Sequence, residues 1–178
     1  MKFYSVFFIF NILIVVFCLH MNTIGSSFFK ECPITEVIME VRGISMDGLF
    51  SSGEKVKALI GYYACHEVSR KDIIILRKKN DSQILIKSVV MLPGDHFYLR
   101  AYGSGFQLLI NDEVLLNSYG MPYLLTQAAE RVLNFFEIND QGIVPEGKFY
   151  VFGNNPHGSI DSSNFGPVSK DELIGFVK

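Results

Sequence analysis

Short apolar runs separated by turn-forming residues dominate most of this chain, and they read as strands. Glu36 to Val41 predicts a first strand and Lys55 to Tyr63 a second. Asp72 to Leu76 is a compact β-branched run, followed after Asn80-Asp81-Ser82 by Ile84 to Leu92; these two predict a hairpin. Pro93-Gly94-Asp95 marks a turn before Phe97 to Ala101 and Phe106 to Ile110, and Asn111-Asp112 another before Val114 to Leu116. Lys148 to Phe152 and Leu173 to Val177 predict the last strands. The exception is Pro122 to Phe136, where Leu124, Leu125, Ala128, Ala129, Val132, Leu133 and Phe136 recur at helical spacing. That segment predicts a helix packed on the sheet.

The N-terminus has a different pattern. From Phe3 to Leu19 the run is broken only by Ser5 and Asn11 and is preceded by Lys2. As a helix it would extend roughly 25 Å, at the short end for a bilayer crossing. A cleavable signal peptide would have a shorter apolar stretch and a small-x-small exit, for which only Ile24-Gly25-Ser26-Ser27 offers material. An uncleaved anchor over residues 1–24 is the favoured reading, with 25–178 as one domain on the extracytoplasmic side.

Composition narrows the classes further. The net charge of −2 and the mixed signs carry no nucleic-acid footprint, and Arg77-Lys78-Lys79 reads as a solvated hairpin end. The three cysteines do not make a disulfide framework; Cys32 and Cys65 could pair in an oxidising compartment, although nothing local brings them together. His20, His66, His96 and His157 lack zinc spacing, so no metal is expected. Nor does any motif call for a cofactor, since Gly103-Ser104-Gly105 lacks the lysine and hydroxyl of a phosphate loop.

Two polar residues stand out against the apolar pattern. Lys87 lies within Ile84-Leu85-Ile86-Lys87-Ser88-Val89-Val90-Met91-Leu92, apolar on both faces of a strand. Loss of hydration disfavours an ammonium there, so its pKa falls from about 10.4 toward the 7–8 of a useful base. Ser45 interrupts the chain in Arg42-Gly43-Ile44-Ser45-Met46-Asp47-Gly48 after an apolar stretch. Together they form a candidate nucleophile and base. The competing reading makes Lys87 a guard on an edge strand and Ser45 an ordinary turn serine. Other pairings are weaker: His157 with Asp161 lies in a turn-rich loop, and Cys65-His66 would point to opposite faces of a strand.

Four segments, in order, resemble the motifs of type I signal peptidases. Gly43-Ile44-Ser45-Met46 with Leu49 and Gly53-Glu54-Lys55-Val56 is similar to the family's serine motif. Lys71-Asp72-Ile73-Ile74-Ile75 resembles the strand that follows it, and Ile86-Lys87-Ser88-Val89-Val90-Met91-Leu92-Pro93-Gly94-Asp95 the lysine motif. Glu146-Gly147-Lys148-Phe149-Tyr150-Val151-Phe152-Gly153-Asn154-Asn155, with Ser159, Asp161, Ser162, Phe165-Gly166-Pro167-Val168 and Ile174-Gly175, resembles the C-terminal signature.

The resemblance implies a mainly β fold, a coiled β-sheet catalytic domain with an N-terminal transmembrane helix and one inserted helix. It implies a single-pass membrane peptidase that removes signal peptides from exported preproteins, in contact with lipid and without metal or nucleic acid. Ser45 would be the nucleophile and an oxyanion donor through its N–H, Lys87 the general base, Ser159 the residue orienting the amine and Asp161 a support. Met46 and Ile86 would line a pocket for a small residue. Departures accompany the match: Lys-Arg is Lys87-Ser88, Gly-Asp-Asn is Gly153-Asn154-Asn155, Asp-Ser-Arg is Asp161-Ser162-Ser163, and a proline after Ser-Met is Gly48. An acid and a base are missing together, as if a supporting ion pair were lost. These departures fit a divergent or conjugation-type member, and they leave a membrane-tethered, catalytically weakened binding module of a secretion or conjugation system as the alternative. A LexA-like self-cleaving protease is disfavoured by the apolar N-terminus and the absence of an Ala-Gly dipeptide.

Overall fold

A computed structural model describes residues 32–79 and 82–178 of the chain. The expected anchor over 1–24 lies outside the described residues, as do Asn80 and Asp81 of the expected turn. Among the described residues no helix is long and apolar enough to cross a membrane.

Antiparallel sheet is the main regular structure of the described residues. Strands β1 (Thr35–Glu40) and β2 (Lys55–Ile60) pair antiparallel and frame the segment that carries Ser45. β3 (Ile73–Arg77) and β4 (Ile84–Met91) form the expected hairpin, in register from Ile73 opposite Ser88 to Arg77 opposite Ile84. With β9 (Lys148–Phe152), β10 (Val168–Ser169) and β11 (Leu173–Val177) they complete a seven-stranded sheet in the order β1-β2-β11-β3-β4-β9-β10. The remaining strands, β5 (Phe97–Tyr102), β6 (Gly105–Ile110), β7 (Glu113–Val114) and β8 (Leu124–Leu125), form a second sheet inserted between β4 and β9. A 13-residue helix, α1 (Gln127–Asn139), packs on this insertion, and a single-turn helix, α2 (Ser162–Phe165), precedes β10.

Alternation explains β4. Leu85, Lys87, Val89 and Met91 are buried on one face, while Ile86, Ser88 and Val90 lie half-buried on the other. β3 pairs with residues 84–88 of β4, and Lys87 is buried rather than turned to solvent, so the edge-guard reading of Lys87 fails. Its second neighbour, however, begins only at Ser88, opposite Phe152 of β9. Residues 84–87 are therefore paired on one side alone.

The expected helix starts later than its periodicity suggests. Leu124 and Leu125 pair with Gln107 and Phe106 of β6, because their backbone groups find a strand partner. Thr126 then caps the helix, its Oγ1 accepting from the Ala129 N–H at 3.3 Å. Ala129 and Leu133 are buried in the core of the insertion with Phe97, Leu108, Tyr150 and Phe152, while Phe135 and Ile138 are exposed. Two more apolar clusters fill the large sheet, one around Ile74, Leu76, Val89 and Val151, the other around Val41, Ala58, Ile75 and Val177.

Two smaller expectations change. The second strand stops at Ile60, where Gly61 turns the chain into a 3-10 segment, Tyr62–Ala64. The cluster Arg77-Lys78-Lys79 is paired rather than merely solvated: Lys78 meets Glu172 and Lys79 meets Asp171, both at 2.9 Å. Cys32 and Cys65 are both disulfide-bonded, which removes the thiol needed for a Cys65-His66 nucleophile.

Leu133 carries much of the contact between α1 and the insertion. Leu133→Ala is expected to cost about 2–5 kcal/mol, and Phe135→Ala less than about 0.5 kcal/mol. Urea unfolding of the two variants checks this.

Candidate active site

The segment between β1 and β2 brings Ser45 back over β4. Its carbonyl oxygen accepts the N–H groups of Asn154 and Asn155 at 2.7 and 3.0 Å, anchoring it to the end of β9. Gly153 permits this approach. A Cβ there would lie 2.5 Å from the Ser45 carbonyl oxygen and would also meet the Ser159 side chain.

Lys87 reaches Ser45 from below. Its Nζ lies 2.8 Å from Ser45 Oγ and donates also to the carbonyl of Ile86 at 2.8 Å. The residue is only 2% exposed. Burial pushes its pKa down to about 8, with the charge of Asp161 holding it up in part. An amine so placed can take a hydroxyl proton near neutral pH, because a substantial fraction of it is already uncharged.

Asp161 is fully buried and saturated with donors. Oδ2 accepts from the Tyr123 hydroxyl at 2.7 Å and the Gly153 N–H at 3.0 Å, and Oδ1 from the Ser163 hydroxyl at 2.7 Å and N–H at 3.0 Å. Burial, then the neighbouring Asp161, raises the Tyr123 phenol well above its ordinary value, so it remains a donor. Asp161 also caps α2. Ser163, standing where the resemblance implies an arginine, thus serves the same carboxylate as a neutral donor.

Ser159 departs from expectation. Its buried Oγ has no hydrogen-bond partner, and the lysine amine's second acceptor is instead the Ile86 carbonyl, next in the chain. Met46 is buried and Ile86 half-buried, and both line a groove with Ser45 and Lys87. This groove, about 610 Å3, runs between the end of β1 with Val41 and Ile44 on one side and Ile84–Lys87 on the other.

Asn154 was read from sequence as a lost charge, yet it is fully employed. Its Nδ2 donates to the Asp47 carbonyl and, at 2.7 Å, to Ser118 Oγ, while Oδ1 accepts from the Ser118 N–H at 2.7 Å. An aspartate could accept from the Ser118 N–H and, with the direction reversed, from its hydroxyl, but could not donate to the Asp47 carbonyl. Gly48 belongs to the same arrangement: at φ +91° it turns the Ser45 segment, and a Cβ there would strike Asn154 and the Tyr119 ring at 2.7 Å. Tyr123 and Ser118 had no signal in the sequence beyond lying in Ser118-Tyr119-Gly120-Met121-Pro122-Tyr123, a turn-rich stretch. His157 is exposed and joins none of these contacts. Among the described residues no group of His, Cys, Asp and Glu could hold a metal ion.

Comparison with known proteins gives this geometry a context. Residues 1–178 match the family described as "Signal peptidase, peptidase S26". Signal peptidase I V of Bacillus subtilis strain 168 is 28% identical over 141 residues, covering 78% of this chain and 81% of that protein. Signal peptidase IB of Staphylococcus aureus strain COL is 27% identical over 148 residues, covering 77% and 73%. A crystal structure of a signal peptidase I from Enterococcus faecalis V583 aligns with 26% identity and a TM-score of 0.45, over 64% of this chain and 98% of that one.

Asn154→Asp alone would bury a charge and forfeit the donor bond to the Asp47 carbonyl, at an expected cost of about 2–4 kcal/mol. Ser88 lines the same cavity as Asn154, so Ser88→Arg in that background should recover at least about 1 kcal/mol. A double-mutant cycle by urea unfolding measures the coupling, which would be absent if the two positions did not face one another.

Proposed function

Because the chain belongs to the signal peptidase, peptidase S26, family and is a serine peptidase, we propose that it removes N-terminal signal peptides from exported preproteins by a Ser45–Lys87 dyad. The observation that carries this reading is the 2.8 Å approach of the buried Lys87 amine to Ser45 Oγ. In the uncharged state the amine takes the Ser45 proton as Oγ attacks the scissile carbonyl carbon. The resulting oxyanion meets the Ser45 N–H. Gly43 supplies no side-chain donor, so the backbone carries this role. Lys87 then returns the proton to the leaving amine, leaving an ester on Ser45, and activates the water that hydrolyses it.

The preprotein binds as an added strand. Among the described residues, 84–87 of β4 have no strand partner on the side away from β3, and β1 has no neighbour beyond β2. An extended peptide between them exchanges main-chain hydrogen bonds with both. Met46 and Ile86 then face a small residue at the cut. Asp161 holds Gly153, and so the Ser45 carbonyl, in position. The apolar run Phe3–Leu19 anchors the chain in the membrane once, with the peptidase domain outside the cytoplasm.

Ser45→Ala and Lys87→Ala, each assayed on a preprotein with alanine-x-alanine before the cut, are expected to lose at least about 10³ in kcat/KM. Retained cleavage by either variant sinks the dyad; an inert wild type would favour the binding-module reading. The uncharged base is lost as pH falls through about 8, so log kcat/KM should rise with unit slope below that pH and level off above it. A flat profile between pH 6 and 9 would contradict Lys87 as the base.

A further inference from the structure

A second cavity, about 760 Å3 and larger than the groove of the dyad, lies directly beside it. Lys87 lines the first and Ser88, next in the strand, the second; Met46 lines the first and Leu49, one turn on, the second. Opposite Ser88 stand Val114, Leu115 and Leu116 from the insertion. Its volume is that of a ligand site rather than a packing defect.

We propose that this cavity receives the residues following the scissile bond, the first few of the mature chain, and selects apolar side chains among them. The inference rests on the peptidase reading above. Three observations direct it. First, the unpaired edge of β4 ends at Lys87, since β9 pairs with Ser88 onward. A substrate strand lying along residues 84–87 therefore cannot continue in the sheet past the dyad and has to rise off its edge. Second, Lys87 must hand its proton to the departing amine, so the segment carrying that amine leaves past Lys87. Third, what lies ahead on the face of β4 shared by Ile86, Ser88 and Val90 is this cavity.

Its chemistry sets the preference. The walls are mainly aliphatic: Leu49, Ile73, Val90, Val114 and Leu116. The charged groups at its edge offer no net sign. Arg70 is committed to both Asp95 oxygens, at 2.6 and 2.8 Å, and Lys71 is offset by Glu113. An aliphatic side chain gains by burial there, whereas burying an acidic or basic one against these walls costs desolvation. Ser88 and Asn154 leave the space open, because neither fills it with a long charged side chain.

The test uses two series of peptides with the same residues up to the cut, differing only at the second to fourth residues after it: leucine and valine in one, serine and asparagine in the other. Wild type should favour the apolar series by about tenfold in kcat/KM. Leu116 is 51% exposed, so Leu116→Asn should fold normally, as its thermal unfolding would verify, and reduce that ratio to below about threefold. Cleavage of both series at equal rates by wild type overturns the inference while leaving the peptidase reading intact. A preference that survives undiminished in Leu116→Asn moves the selection out of this cavity and overturns it as well. Failure to cleave either series overturns the peptidase reading itself, and the inference with it.

Discussion

The structure depends on keeping an amine out of water within hydrogen-bond reach of a hydroxyl. A lysine in the interior of a sheet costs desolvation free energy, and its lowered pKa reports that cost. The fold supports it in two ways. β3 and β4 bury the stem among Ile74, Val89 and their neighbours. Asp161, out of contact but close enough to act through its field, keeps the pKa from falling further. Removing either influence would leave an amine that is too acidic or one that stays charged.

Much of this was legible in the sequence because it rests on local pattern. The unbroken aliphatic surroundings of Lys87 predicted both its strand and its burial, and both are observed. Lys148 to Phe152 and Leu173 to Val177 fall where their patterns placed them. What was not legible depends on contacts between residues far apart in the chain. Leu124 and Leu125 have helical spacing, but β6 offers them strand partners, and no local rule reports that. Tyr123 gave no signal because its role is a hydroxyl delivered to a carboxylate 38 residues away. Ser159 was placed by motif, and the amine's actual second acceptor, its own neighbour's carbonyl, cannot be read from any motif.

The departures from the family pattern form one arrangement rather than a set of losses. Asn154 replaces an acid but uses both amide donors to tie Asp47 and Ser118 together. Gly48 replaces a proline where Asn154 and Tyr119 need the room. Ser163 replaces an arginine and still donates twice to Asp161. Neutral hydrogen bonds here do the work that charges would do elsewhere, and they avoid the desolvation cost of burying an ion pair.

The insertion between β4 and β9 has a further consequence. It supplies the Ser118 group that holds Asn154 and the Tyr123 hydroxyl that holds Asp161. Replacing it with a tight turn would leave Ser45 and Lys87 within the large-sheet part of the chain, so a trimmed scaffold would look complete on paper. It would nevertheless lack the outside struts of both the Ser45 turn and the buried Asp161 carboxylate. For anyone seeking the smallest working version of this protein, the boundary of the minimal unit encloses the small sheet.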